Sequence, residues 1–343
     1  MSHPSRSRWR GLLPLALAPI ITVTVTAYGR VQSSLDPAGP DSARISRLWW
    51  LMLAVCTAVF LLVLGFLLHG VYRAWRREAA ATDDQSKRRM TRAVTAATAA
   101  TTLILFVLLV ASVMTGRAIS TKPDSDVIDV EVVGHQWWWE FTYKDAAASQ
   151  QVSSANELHV PVGKTVVLKL TSRDVIHSFW APNLQGKKDL IPGHFIIFPL
   201  RADREGTFRG QCAEFCGPQH AHMAFTVIAE PEDRFLAWLD AQRQPARPPA
   251  DPLVARGQQV FLSKPCVMCH TVRGTPAGSR VGPELTHIAT RPTIAAGTLE
   301  MNRGNLAGWV VDAQSIKPGS RMPPNSLTSE ELDALLAYLE SLK

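Results

Sequence analysis

Two runs of residues constrain this chain more than any other feature. Residues 48–68, LWWLMLAVCTAVFLLVLGFLL, carry no charge over 21 positions. Residues 93–113, AVTAATAATTLILFVLLVASV, carry none either. As helices rising 1.5 Å per residue, each would reach about 30 Å, the thickness of the hydrocarbon core of a bilayer. Trp49 and Trp50 stand at one end of the first run, where interfacial aromatics belong. The first half of the second run is small and hydroxylated, which suits close helix packing. Cys56 falls within the first run and reads as a small buried hydrophobe, and His69 as a boundary residue.

The charges give the hairpin a direction. Arg73, Arg76, Arg77, Lys87, Arg88, Arg89 and Arg92 lie between or beside the two runs, so the connecting loop is cytoplasmic and both ends of the hairpin face outward. The large C-terminal part then lies outside as well. The N-terminus agrees: Arg6, Arg8 and Arg10 precede GLLPLALAPIITVTVTA, which predicts a signal peptide over residues 1–27 with Val25-Thr26-Ala27 at the cleavage site. The net charge of +7 thus follows membrane topology. No basic stripe with interleaved aromatics is present, so the expected partner is a lipid membrane and not nucleic acid.

From residue 126 the pattern changes. VIDVEVVG, WWWEFTY, NELHVPVG, TVVLKLTS, HFIIFPL, GTFRGQC and MAFTVIAE are short, rich in β-branched and aromatic residues, and punctuated by Gly, Pro, Asn and Asp. They predict an all-β sandwich or barrel over 126–240. EDRFLAWLDAQ turns helical, and QPARPPADP marks a proline-rich linker, 241–250. Strand alternation is missing from 251–343, which closes on the amphipathic helix LTSEELDALLAYLESLK, with Thr328 and Glu331 placed for a capping box.

Four of the five cysteines form two close pairs, Cys212/Cys216 and Cys266/Cys269, a spacing that serves cofactors more often than structural disulfides. The first pair sits in QCAEFCGPQHAHM, residues 211–223, with His220, His222 and Met223; His177 lies upstream in SRDVIHSFWAP. Two histidines, two cysteines and a methionine exceed the needs of one tetrahedral ion. They suit two soft ions bridged by two thiolates. A Cys212–Cys216 disulfide would leave His177 and His220 without a role. A Cys2His2 zinc site would leave Met223 unexplained, because thioether is a poor zinc ligand and a good copper one.

GHQWWWEF, DVIHSFWAP, DLIPGH and QCAEFCGPQHAHM resemble subunit II of haem–copper cytochrome c oxidases. The resemblance implies a cupredoxin-like barrel holding a dinuclear copper A centre outside the membrane. Its ligands would be His177, Cys212, Cys216, His220, Met223 and the backbone carbonyl of Glu214, whose side chain would also meet a magnesium ion at the interface with subunit I. Trp137 matches the residue through which electrons reach copper A. The family usually has Tyr where this chain has Trp138, and His222 matches no ligand, so it is expected at the surface or supporting a neighbour.

The second pair sits in CVMCH, residues 266–270. C-x-x-C-H marks covalent haem c, with thioethers at Cys266 and Cys269 and His270 as an axial ligand. VGPEL follows, and SRMPPNSLT offers Met322 as the opposite axial ligand; Met268 and Met301 are the alternatives. Residues 251–343 resemble an all-α class I cytochrome c domain, and the fusion as a whole resembles the caa-type oxidases.

The expected molecule is a multidomain membrane protein of the bacterial inner membrane. It has an N-terminal segment and two-helix transmembrane hairpin (28–117), a copper domain and a cytochrome domain, the last two on the periplasmic face. The resemblance implies that haem c passes electrons to copper A and then to haem a of subunit I, where oxygen is reduced with proton translocation. The linker would let the haem domain dock near Trp137. Partners would be subunit I, other oxidase subunits, and an upstream cytochrome c or quinol–cytochrome c reductase. The alternative is a copper A membrane carrier serving a different terminal reductase.

Overall fold

The computed structural model describes residues 32–76, 84–119 and 127–343; the expected signal peptide, 1–27, lies outside the described residues. Helices α1 (Pro40–Arg76) and α2 (Asp84–Ile119) contain the two uncharged runs and extend beyond them. Both are long and apolar enough to cross a membrane, and their apolar windows have no protein cover. Cys56 is accordingly exposed on α1. This corrects the expectation of burial: on a two-helix hairpin most apolar side chains face outward, and only lipid can cover them. The buried residues of α1 are Ser42 and Ser46, near its first turns. Ser42 Oγ donates to the carbonyl of Asn183 at 2.7 Å, and Arg204 pairs with Asp36 at 2.8 Å. The outer end of the hairpin is therefore seated on the β domain.

That domain contains β1 (Val127–His135), β2 (Trp138–Tyr143), β3 (Val152–Ala155), β4 (Glu157–Pro161), β5 (Thr165–Ser172), β6 (His177–Phe179), β7 (Lys188–Leu190), β8 (Ile196–Arg201), β9 (Gly206–Gln211) and β10 (Ala224–Glu230). Five strands form a mixed sheet in the order β3-β2-β1-β5-β8, and three form a second in the order β4-β10-β9. β6 and β7 make a separate antiparallel pair. Alternation sets the faces: in β2 every second residue, Trp139, Phe141 and Tyr143, is buried. Side chains from both sheets share one core, in which Trp139 meets Phe225 with ring centroids 5.1 Å apart and Phe225 stacks on Phe179 at 4.5 Å.

Helix α3 (Glu232–Arg243) leads out of the β domain. The proline-rich stretch after it is tied down. The Arg273 guanidinium donates to the carbonyls of Gln242 and Arg243, the Ala246 N–H donates to the Arg273 carbonyl at 2.9 Å, and His287 Nε2 reaches the Gln244 carbonyl at 3.1 Å. The C-terminal domain comprises α4 (Pro252–Ser263), the short strands β11 (Thr293–Ile294) and β12 (Leu299–Glu300), α5 (Arg303–Val311), α6 (Ala313–Ile316) and α7 (Ser329–Ser341). Asp251 caps α4, and Thr328 with Glu331 forms the expected capping box on α7. α4 crosses α7 at Gly257, where a Cβ would lie 1.9 Å from the Ala334 carbonyl; no other residue fits that crossing.

Candidate copper and haem centres

The β scaffold gathers the donors of the 211–223 string and the distant His177. β9 ends at Gln211, and β10 begins at Ala224, just after Met223. The loop between them folds back so that the Cys212 N–H donates to the Met223 carbonyl at 3.0 Å. β6 delivers His177 from below. Cys212 Sγ and Cys216 Sγ are 3.8 Å apart. His177 Nδ1 lies 3.9 Å from Cys212 Sγ, and His220 Nδ1 lies 3.6 Å from Cys216 Sγ. Met223 Sδ sits 3.8 Å from Cys216, and the Glu214 carbonyl 3.3 Å from Cys212. All six expected donor groups therefore gather about the two sulfurs, with one imidazole near each. The thiols are free, and their separation is far beyond the ~2.05 Å of a disulfide.

The supporting contacts prepare His177 as a ligand. Its Nε2 lies 2.8 Å from Asp174 Oδ1, which turns Nδ1 toward the sulfurs. Asp174 Oδ2 accepts the Gln136 N–H at 2.8 Å. Burial works against charge on both groups. The Asp174–His177 hydrogen bond outweighs it, helped by other contacts, so the Asp174 carboxyl is held low and His177 is raised. Gly134 is required beside this ring, since a Cβ there would lie 2.7 Å from His177 Cδ2. The hydrogen bond with Cys216 pulls the Cys212 thiol down to about 3, against burial; the same bond, with burial, pushes Cys216 up. A cation bound by both sulfurs must displace the protons they carry. Two facing thiolates, two imidazoles, a thioether and a carbonyl fit a pair of soft cations better than one zinc ion. His222 is exposed and bonds Gln219 at 2.8 Å, outside the set of donors.

The second site is a cavity of about 390 Å³ lined by Cys266, Cys269, His270 and Met322 together with apolar residues such as Phe261 and Leu306. His270 Nδ1 lies 2.7 Å from the Pro283 carbonyl, which fixes the ring and leaves Nε2 for a ligand. Gln314 shapes the methionine loop, donating to the Ser320 carbonyl at 2.6 Å and the Met322 carbonyl at 2.7 Å. Of the alternatives, Met268 also lines the cavity but is strongly exposed, whereas Met301 packs against the domain core outside the lining. An apolar slot with two thiols, a fixed imidazole and a thioether on its walls fits a covalently held haem.

The two sites meet at Trp137. Its indole Nε1–H donates to the Cys216 carbonyl at 2.9 Å, and the residue also lines the cavity. Trp138 lines the cavity too, stacked on His135 at 4.2 Å, while Trp139 belongs to the core. Sequence reasoning missed Asp174, Gln314 and Lys317. Of these, only Asp174 carries a local signal, its place three residues before His177.

Comparison with known proteins bears on this geometry. Residues 145–230 match the family described as cytochrome c oxidase subunit II, periplasmic domain, and residues 254–343 match cytochrome c. A cytochrome c oxidase subunit 2 from Alkalihalophilus pseudofirmus is 35% identical over 320 residues, covering 91% of each chain. The chain belongs to the cytochrome c oxidase subunit 2 family. Within that family, the subunit 2 of a Bacillus species is 38% identical over 234 residues, covering 65% of this chain and 64% of that one. Among solved structures, the periplasmic domain of subunit II of the Bradyrhizobium japonicum cytochrome oxidase is 29% identical, covering 36% of this chain and 97% of that one, with a TM-score of 0.34. The family membership and the two apolar helices make this a membrane protein with its β and cytochrome domains facing the periplasm. It is an electron-transfer subunit, not a catalyst on its own.

Proposed function

We propose that the chain is the electron-accepting subunit II of a caa-type cytochrome c oxidase. Electrons would pass from its own haem c, through Trp137, to a dinuclear copper A centre and on to haem a of subunit I, for reduction of oxygen to water coupled to proton translocation. His177, Cys212, Cys216, His220, Met223 and the Glu214 carbonyl would hold the copper pair on a cupredoxin-like domain, 126–240. Cys266 and Cys269 would hold haem c, with His270 and Met322 axial, in a class I cytochrome domain, 251–343. When bound, these groups supply one-electron redox chemistry; the protein fixes their ligands and excludes water. The observation that carries the reading is Trp137, which touches the copper loop through one hydrogen bond and borders the haem cavity.

A surface for the larger subunit supports the reading. Ile176, next to His177, and Phe215, next to Cys216, are exposed, Phe215 at 76%, as are Phe195 and Ile197. An exposed apolar surface of this kind marks a protein contact. Glu214, exposed beside Phe215, would meet magnesium there. The upstream donor would be a cytochrome c or a quinol–cytochrome c reductase.

Metal counting and EPR on the purified chain test the proposal. Two coppers with a mixed-valence seven-line signal, and one iron with low-spin haem c bands, are expected. A single blue-copper signal, or zinc, would overturn the dinuclear assignment.

A further inference from the structure

Trp137 is only 7% exposed, although it lies in the turn between β1 and β2. Its own domain covers part of it, at Cys216 and Gly217, and the C-terminal domain adds to the cover. Lys317, at the end of α6, reaches across and donates to the Trp137 carbonyl at 2.7 Å and to the Ala295 carbonyl of its own domain at 3.0 Å. Its residue is 2% exposed. The next residues continue the seam. The Pro318 carbonyl accepts from Gln219 Nε2 at 3.0 Å, and a Cβ on Gly319 would lie 3.4 Å from the Trp137 ring. Arg321 Nη2 comes within 3.6 Å of Asp174 Oδ2, on the carboxylate that holds His177. Further along, the Ala224 N–H donates to the Ala296 carbonyl at 3.1 Å. Residues 317–321 run directly into Met322, so one short segment joins the methionine side of the haem cavity to the copper loop.

A buried amine spanning two main-chain carbonyls from different domains is a specific device. Without it both carbonyls lose a donor in a place that water does not reach. This amine is fixed at both ends.

We propose that Lys317 is a positioning residue that clamps the haem domain over Trp137, so that the chain's own haem domain is the only direct donor to its copper centre and a separate soluble donor is kept off that tryptophan. The inference rests on the electron-transfer reading above for its meaning, while the clamp itself is a property of the fold. When bound, the haem would supply one electron per transfer and the copper pair would accept it, with no bond made or broken. A soluble protein would have to displace residues 317–321 to touch the Trp137 ring.

The test compares the full, detergent-solubilised chain with its Lys317→Met variant, which keeps most of the side-chain volume and removes both donors. Metal and haem content are counted in each. Hydrogen–deuterium exchange is followed in segments 134–139 and 317–322, and copper reduction is followed optically after mixing with soluble ferrocytochrome c. In the parent, the two segments should be protected together, and the haem band should change before the copper band. In the variant, both segments should exchange at least about tenfold faster, and copper reduction should begin in parallel with haem reduction. Unchanged exchange in the variant overturns the clamp. So does direct copper reduction by the soluble donor in the parent. Should the variant not assemble, the parent alone decides, because unequal protection of the two segments refutes a shared seam. Absence of copper or haem from the parent would instead remove the functional reading and leave the exchange result standing.

Discussion

The copper loop and the haem cavity are built in opposite ways. At the candidate copper site the donors touch: neighbouring donor atoms lie 3.3 to 3.9 Å apart, and Cys212, Cys216 and Met223 belong to the β-domain core. At the haem site the ligands stand on the walls of a void of about 390 Å³. One set of candidate donors is packed into the core of its domain, whereas the other is spread along the walls of a cavity.

The largest expected effect follows from that contrast. The apolar walls of the C-terminal cavity, among them Phe261, Leu306, Leu335 and Leu339, would lose their packing partner if nothing filled it. A Cys266→Ala/Cys269→Ala chain, unable to attach haem, should lose amide protection in α4 and α7 while the β sheets keep theirs. A Cys212→Ser/Cys216→Ser chain should lose its copper and keep protection in both domains. Hydrogen exchange on the two chains measures this directly. Equal loss of protection in the two would break the comparison.

How far the sequence revealed each half has a physical basis. Seven strands were legible because β-branched and aromatic residues alternate over enough positions. β3, β6 and β7 were not, being three or four residues long; β6 is buried throughout, so it has no alternation to read. α5 was hidden by Gly304 and Gly308, and its N-terminus is held by the Asn302 side chain, which accepts from the Asn305 N–H at 2.9 Å. Both ligand strings were legible because each is local, with only His177 and Met322 supplied from a distance. The interface was not. Lys317 meets a carbonyl 180 residues away, and no pattern near residue 317 announces it. The prolines mark residues 241–250 as a linker, but they do not announce the hydrogen bonds from Arg273 and His287 that tie it to the C-terminal domain.

Glu157, where the halves meet, sharpens the comparison through pH. It is 6% exposed, and its Oε1 has no hydrogen-bond partner among the described residues. Burial raises its pKa from 4.5 to about 7, against the pull of Arg291 in the cytochrome domain. The folded chain therefore holds a proton that the unfolded chain releases between pH 4.5 and about 7. Stability from this group is present below pH 4.5 and falls as the pH rises through that window. A shift of this size corresponds to about 3 kcal/mol. Glu157→Gln should raise stability by up to that amount at pH 8 and change it little at pH 4. Thermal unfolding at the two pH values reads the difference, and an equal effect at both would show that Glu157 does not titrate in this way.

The smallest effect tests how complete the copper site is without its supports. Asp174 contacts the set of donors only through His177, whose Nε2 it holds at 2.8 Å. Its other oxygen takes the Gln136 N–H at 2.8 Å, so the same carboxylate fixes the ligand ring and the start of the turn that presents Trp137. Removing such a support commonly weakens metal affinity by about 10- to 100-fold. Asp174→Ala should show a loss in that range by competition with a copper chelator. Asp174→Asn, whose single carbonyl oxygen can still accept from one of the two groups, should lose less. The haem site should be indifferent to either change, because His270 is held by a main-chain carbonyl of its own domain at Pro283. If haem binding falls alongside copper affinity in Asp174→Ala, the carboxylate matters through Arg321 and the seam as much as through His177. The two centres, so differently built, would then share a support.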